Sequence, residues 1–322
     1  MAVKQNREPS SLAEGQMLER VGESQPEPGK RRTIPVLSRL NSIAALRSWK
    51  IRLGLGILGF FVLMAIFAPL IAQQNPQSFS SDSLAVPSPA HWLGTTQVGQ
   101  DVFAQLVYGT RVTLLVGFSV GIIATTLAVV LGLVAGYFGG VLDDVLSMFM
   151  NIFLLIPAVP LAIVLGGYLT ALQLRGPIPV TIVLVITGWA FGARVLRAQT
   201  LSMRKRDFVE AARASGETTA RIIFSEILPN ELGIIFSGLI FTVLYAILAE
   251  IGLEFLGLSD ITVISWGNIL FWAGNQNALL VGAWWWFVPP GVCIALVGAS
   301  LALVNFGMDE IINPRLRDAS RG

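Results

Sequence analysis

The chain has 322 residues, of which 54% are hydrophobic and only 13% charged. Ordinary soluble domains carry about 25% charged residues, so this composition excludes a soluble domain and points to a polytopic membrane protein. The net charge of +2 averages over both faces of such a protein and says little alone.

Residues 1–52 are rich in Glu, Gln, Ser, Pro and Arg and poor in aromatics. Such a segment cannot bury enough surface to offset its ordering entropy, which predicts a disordered cytoplasmic tail. No short apolar core followed by a small-residue cleavage site marks it as a signal peptide. Its end, 39–52, sets Leu40, Ile43, Leu46 and Trp49 against Arg47, Lys50 and Arg52, as in an amphipathic helix on the inner membrane surface.

Charge-free runs then count the spans. Residues 53–72 are 20 long, enough at ~1.5 Å per residue to cross a ~30 Å hydrocarbon core. An external loop is predicted over 73–111. No charge occurs between Arg111 and Asp143, over 145–174, over 176–193 or over 232–249. Pro157 and Pro160 are expected to kink the third span. Gly132, Gly136, Gly139 and Gly140 end the second, where small residues let helices approach closely. The run 261–308 is long enough for two spans, but Ser265, Asn268, Asn275, Gln276 and Asn277 make its first half too polar for lipid. One span over 283–306 remains, for six in all. The expected organisation is a tail (1–52), a first span (53–72), the external loop, a five-helix core over 112–306 holding a cytoplasmic loop at 200–231, and a cytoplasmic end at 307–322.

Ten Lys/Arg lie in 1–52, seven in 194–221 and three in 315–321, together 20 of the 22 in the chain. Six spans place those three segments on one face. By the positive-inside rule that face is the cytoplasm, so both termini are expected there.

Isolated reactive residues carry little. Cys293 is the lone cysteine and reads as a small apolar residue. His91 is the lone histidine and is expected on the surface of a loop, since a metal site needs several ligands. No G-x-x-x-x-G-K-[ST] phosphate loop occurs in the chain.

The loop after the fourth span is the most informative stretch. Arg204, Lys205 and Arg206 open it, Glu210-Ala211-Ala212 follow, then Gly216, then Ile227-Leu228-Pro229. Gly216 ends a first short helix, because glycine accepts positive φ. Pro229 cannot continue a hydrogen-bonded helix and is expected to fix the return into the membrane. The small-residue face of Ala211 and Ala212 lets another protein approach closely.

This segment resembles the EAA loop of ABC importer permeases. In the external segment, Leu93, Gly94, Thr95, Gly99, Asp101, Gly109 and Arg111 are similar to the pattern of the C-type permease subunits of the dipeptide, oligopeptide and nickel group. Thr96 and Gln100 stand where that group usually has Asp and Arg, and Glu226 stands where a neutral or basic residue is usual. Phe255-Leu256-Gly257-Leu258, Ser265-Trp266-Gly267-Asn268, Trp284-Trp285, Pro290-Gly291 and Asn313-Pro314-Arg315 extend the likeness. The resemblance implies an all-α bundle of the type I importer kind. It implies a permease that is not an enzyme and binds no cofactor, with ATP and Mg on partner subunits. The implied partners are a second, homologous permease subunit, two ATPases, an extracytoplasmic substrate-binding protein and membrane lipid, with no nucleic acid. The implied place is a bacterial plasma membrane. The coupling residues are Glu210, Ala211, Ala212, Gly216, Ile227, Leu228 and Pro229. Short peptides are the implied substrate, with nickel or another small solute as the alternative. A secondary transporter or channel running without ATP is the reading from another class.

Glu250 and Glu254 are an i,i+4 pair sharing one helix face. They either line an outer pathway or sit at the helix end and reach water.

Overall fold

A computed structural model describes residues 48–172 and 174–312. Most of the N-terminal tail and its amphipathic end, and the closing Asn313-Pro314-Arg315, lie outside the described residues. Among the described residues the chain is helical, with one isolated bridge between Thr95 and Asp101 and no strand.

The elements in order are α1 (Trp49–Ile66), α2 (Ala68–Ile71), α3 (Val102–Phe138), α4 (Gly140–Leu155), α5 (Ala158–Ala171), α6 (Ile178–Met203), α7 (Asp207–Ala214) and α8 (Thr219–Arg221). A π-helical segment (Ile222–Ile227) leads into α9 (Leu228–Phe255), followed by α10 (Trp266–Asn275) and α11 (Trp284–Ile312). Five helices are long and apolar enough to cross a membrane, and a bent pair, α4 with α5, brings the number to six.

The bent pair differs from a simple kinked span. Its halves meet at 92°. Ile156 is extended (φ −72°, ψ 124°) because it precedes Pro157, whose ring excludes the helical region for the residue before it. Pro160 falls in the first turn of α5, where a missing N–H costs nothing.

α3 is the mast of the bundle. Gly117 faces Ile247 and Gly121 faces Val243 of α9, so a methyl group at either would collide. Three turns further on, a Cβ at Gly132 would lie 2.8 Å from the Ala193 carbonyl oxygen, and one at Gly136 2.6 Å from Thr200 Cβ. Lipid is as apolar as leucine, so helix association in a membrane rests on such close packing rather than on hydrophobic burial. On the other flank α1 packs on α11, where Gly54 sits against the Ser300 carbonyl. Phe61, Leu301 and Val304 close that seam.

The segment 73–111 is loop only as far as Asp101. Asp101 caps α3 by accepting the Ala104 N–H at 2.7 Å, which starts the helix at Val102. His91 is not a surface residue: it is only 9% exposed. Its Nδ1 lies 2.9 Å from Asp101 Oδ2, so the cap carboxylate draws the ring inward. Thr96, Leu93 and Gly94 lie in the same folded cap, tied to α11 by the Trp285 indole N–H donating to the Thr95 carbonyl at 3.2 Å.

Candidate functional site

The loop between α6 and α9 is built at the C-terminal end of α3. α7 turns Val209 inward, where it is fully buried with Ile222, Ile227 and Leu133 of α3. Ala212 packs beside them, while Glu210 and Ala211 face out. The small face is therefore divided: one alanine seats the helix and the other is presented. Gly216 has φ +77°. Its N–H donates to the Arg213 carbonyl at 3.0 Å and the Glu217 N–H to the Ala212 carbonyl at 3.1 Å, the paired bonds of a Schellman ending. Thr218 then caps α8 by accepting the Arg221 N–H at 3.4 Å.

Two cationic contacts lock this loop to α3. The Arg204 guanidinium donates to the carbonyls of Gly136 and Tyr137 at 3.1 and 3.2 Å, satisfying the end of that helix. The Arg213 guanidinium stands 5.5 Å from the Tyr137 ring centroid. Nearby, Arg197 of α6 grips Asp143 of α4 with both Nε and Nη2, the latter at 2.8 Å. Thr200 Oγ donates to the buried Glu231 carboxylate at 2.9 Å.

Pro229 does not interrupt the helix. The helix is continuous from Thr219 to Phe255, 37 residues. A proline ring would collide with the carbonyl four residues back, here that of Ser225. The π-helical turn widens the backbone just ahead of it, with the Leu228 N–H donating to the Ile223 carbonyl, and the helix passes through. Ile227 and Pro229 are buried and Leu228 half-buried, so these three residues anchor the loop rather than present it.

Two exposed aromatics escape the sequence reading. Phe224 is 66% and Phe208 37% exposed on the same loop as Glu210 and Ala211. Their signal is two Phe in a segment otherwise rich in charge.

At the other end of α9 the acids contradict the water-reaching reading. Glu250 is 0% and Glu254 3% exposed. α9 continues to Phe255, past the expected end of the span, and α10 folds back over it. The Ser265 hydroxyl, which caps α10, donates to Glu254 Oε2. Gly267 lies directly against the same carboxylate. Neither oxygen of Glu250 has a hydrogen-bond partner. The two acids do not line the groove described below. Trp266 fills the corner: its indole N–H donates to the Leu106 carbonyl at 3.1 Å and its backbone N–H to Thr113 Oγ at 3.3 Å. Asp260, in the loop before α10, accepts from Thr262 Oγ at 2.6 Å and from the Gly176 N–H at 3.1 Å. The Thr262 hydroxyl, those backbone N–H groups and nearby Arg175 hold its carboxyl below the usual carboxylate range.

A groove of about 600 Å³ runs between α3, α6 and α9, bordered by Thr187, Ser237, Thr242 and Tyr245. No group of three or more metal-ligating side chains occurs among the described residues.

Membrane-crossing helices around a glycine-packed mast, with a folded loop clamped at its C-terminal end, define a polytopic transport subunit. Residues 128–318 match the family described as the binding-protein-dependent transport system inner membrane component, and the chain belongs to it. Residues 52–87 match the N-terminal transmembrane domain of oligopeptide transport permease C. The protein is an integral inner-membrane ABC permease of the peptide-type group, C-type, and is not itself catalytic. It is 32% identical to a putative peptide transport system permease protein of Brucella suis over 91% of this chain and 96% of that protein. It is 35% identical to the dipeptide permease DppC of Alkalihalophilus pseudofirmus, and 30% identical to the oligopeptide permease OppC of Bacillus subtilis. Both matches cover 82% of this chain and 85% of the relative.

Proposed function

We propose that this chain forms half of the translocation path of an ATP-driven importer of short peptides, paired with a second permease subunit. Two separate ATPases hold ATP and Mg, and an extracytoplasmic binding protein delivers the substrate. The single observation that carries the reading is the clamped loop between α6 and α9. It offers Phe208, Glu210, Ala211 and Phe224 outward while Val209 and Ile222 seat it on α3.

The geometry supplies a lever. An ATPase pressing on α7 pushes through Val209 and Ile222 onto Leu133, and through Arg213 onto Tyr137. The second arm of the loop is the inner end of the continuous helix Thr219–Phe255, so the same push reaches the outer end of the bundle without a hinge. The groove between α6 and α9 is assigned to the path, because it sets the hydroxyls of Thr125, Thr187, Thr242 and Tyr245 and the Asn305 amide into a mainly apolar lining, and polar side chains at membrane depth usually face a cavity. The termini are placed in the cytoplasm on the charge asymmetry. Cysteine labelling of Ser81→Cys and Ser320→Cys in a Cys293→Ser background tests that: an impermeant reagent is expected to reach position 81 alone.

The peptide assignment follows the relatives, which are named as peptide, dipeptide and oligopeptide permeases. The test is uptake in a deletion strain. Loss of di- and oligopeptide uptake is expected. Unchanged peptide uptake with a fall in nickel-dependent activity overturns the peptide reading and installs the metal.

A further inference from the structure

The helix Thr219–Phe255 is anchored on both sides of its π-helical turn, Ile222–Ile227. Ile222 and Ile227 are fully buried, packed with Val209 of α7 and Leu133 of α3. Beyond the turn, the buried Glu231 carboxylate accepts the Thr200 hydroxyl of α6 at 2.9 Å. The two anchors are neighbours, because Gly136, about one turn along α3 from Leu133, lies against Thr200. Ile222, Ile227 and Glu231 therefore meet one seam between α3 and α6.

An uninterrupted α-helix would not bring them there. It turns about 100° per residue. Ile222 and Ile227 are five positions apart, which would splay them by about 140°. Ile222 and Glu231 are nine apart, which would set them on opposite faces, about 180° apart. A π turn closes its hydrogen bond one residue later and so takes up an extra residue, as the Leu228 N–H shows by donating to the Ile223 carbonyl. Tightened into the α register, the chain before the turn would rotate by about 100° against α9. Either Ile222 would leave Leu133 or Glu231 would leave Thr200. Exposed Phe224 lies inside the turn, so the same register aims it outward.

Two side chains hold the wide register. The α register would pair the N–H of residue 229 with the Ser225 carbonyl, but Pro229 has no N–H and its ring excludes that carbonyl. Asn230 turns its side-chain amide back to donate to the Glu226 carbonyl at 2.6 Å.

We propose that the π turn is a one-residue phase corrector, and that the push of an ATPase reaches α9 only in this phase, with Pro229 as the positioning residue that holds it; the proposal rests on the importer reading above. The test uses the complete transporter in liposomes with its binding protein. It reads peptide moved per ATP hydrolysed, and the ATPase subunits retained on purification. Pro229→Ala frees the α register and is expected to lower the peptide moved per ATP about five-fold, with the ATPases still bound. Deleting Ser225 as well leaves Ile222 and Ile227 four positions apart, so that a plain α-helix sets them on one face again. This double change is expected to return coupling to within about two-fold of wild type, with the melting temperature unchanged. A proline needed only for stability would not be rescued by removing a residue. Wild-type coupling in Pro229→Ala alone overturns the proposal, as does loss of insertion or of coupling in the double variant. A wild-type complex that retains no ATPase and moves no peptide overturns the importer reading instead.

Discussion

The two ends of α9 solve one packing problem in opposite ways. At each end a short helix folds back onto α3: α7 at the N-terminal end, which the proposal places inside, and α10 at the C-terminal end, which it places outside. α7 buries Val209 and shows Phe208, Glu210 and Ala211. α10 buries Trp266, Gly267, Asn268 and Ile269, and carries Glu250 and Glu254 beneath it. Exposed aromatics beside a rigid seat are what a docking surface needs. Buried acids beneath a capped helix make a lid that holds its shape. The difference sets a face that presents side chains at one end against a face that buries them at the other.

The largest effect expected on this contrast is at the outer end. Trp266→Ala removes a fully buried ring that packs edge-on to Phe61 at 5.6 Å and holds two hydrogen bonds. It should cost roughly 3–5 kcal/mol, seen as a large drop in melting temperature of the purified complex. A change within a degree would mean that the lid does not carry the outer end.

Gly216→Pro comes next. Proline cannot adopt φ +77° and has no N–H for the Arg213 carbonyl. It should cost about 3 kcal/mol, confined to the loop. The protein is expected to insert normally, with substrate-stimulated ATPase activity in liposomes lost. Wild-type coupling would separate the turn from the lever.

Phe224→Ala and Glu210→Lys should move stability by less than about 0.5 kcal/mol, since both side chains are exposed. Both are expected to reduce co-purification of the ATPases. Intact co-purification in both would show that the inner end is merely solvated.

The smallest effect is a pH response of the outer loops. The Asp260 carboxyl is held below its usual range, so its contribution is present at neutral pH and is lost as pH falls through that lowered value. Hydrogen exchange at Gly176 and Thr262 should rise only in acid below the ordinary carboxylate range, and Asp260→Asn should abolish the pH dependence. A transition at neutral pH would contradict the assignment.

The spans were legible because the bilayer imposes a length on every crossing, and charge-free runs record it. The turn at Gly216 was legible because a glycine of positive φ acts locally. Other features depend on partners distant in sequence. His91 reads as a loop residue until Asp101 folds against it. Glu250 and Glu254 read as a helix-end pair until α10 closes over them. Pro229 reads as a break because the π-helical turn that accommodates it has no composition of its own. The partition of Ala211 from Ala212 required knowing which face meets Leu133.

The central claim is that the loop between α6 and α9 is where an ATPase presses. A photo-crosslinking amino acid at Phe224 in the complete transporter, with one at the buried Val209 as control, tests it directly. The account predicts a covalent adduct between position 224 and an ATPase subunit, and none from position 209. An adduct from position 224 to lipid or to the second permease alone would contradict it.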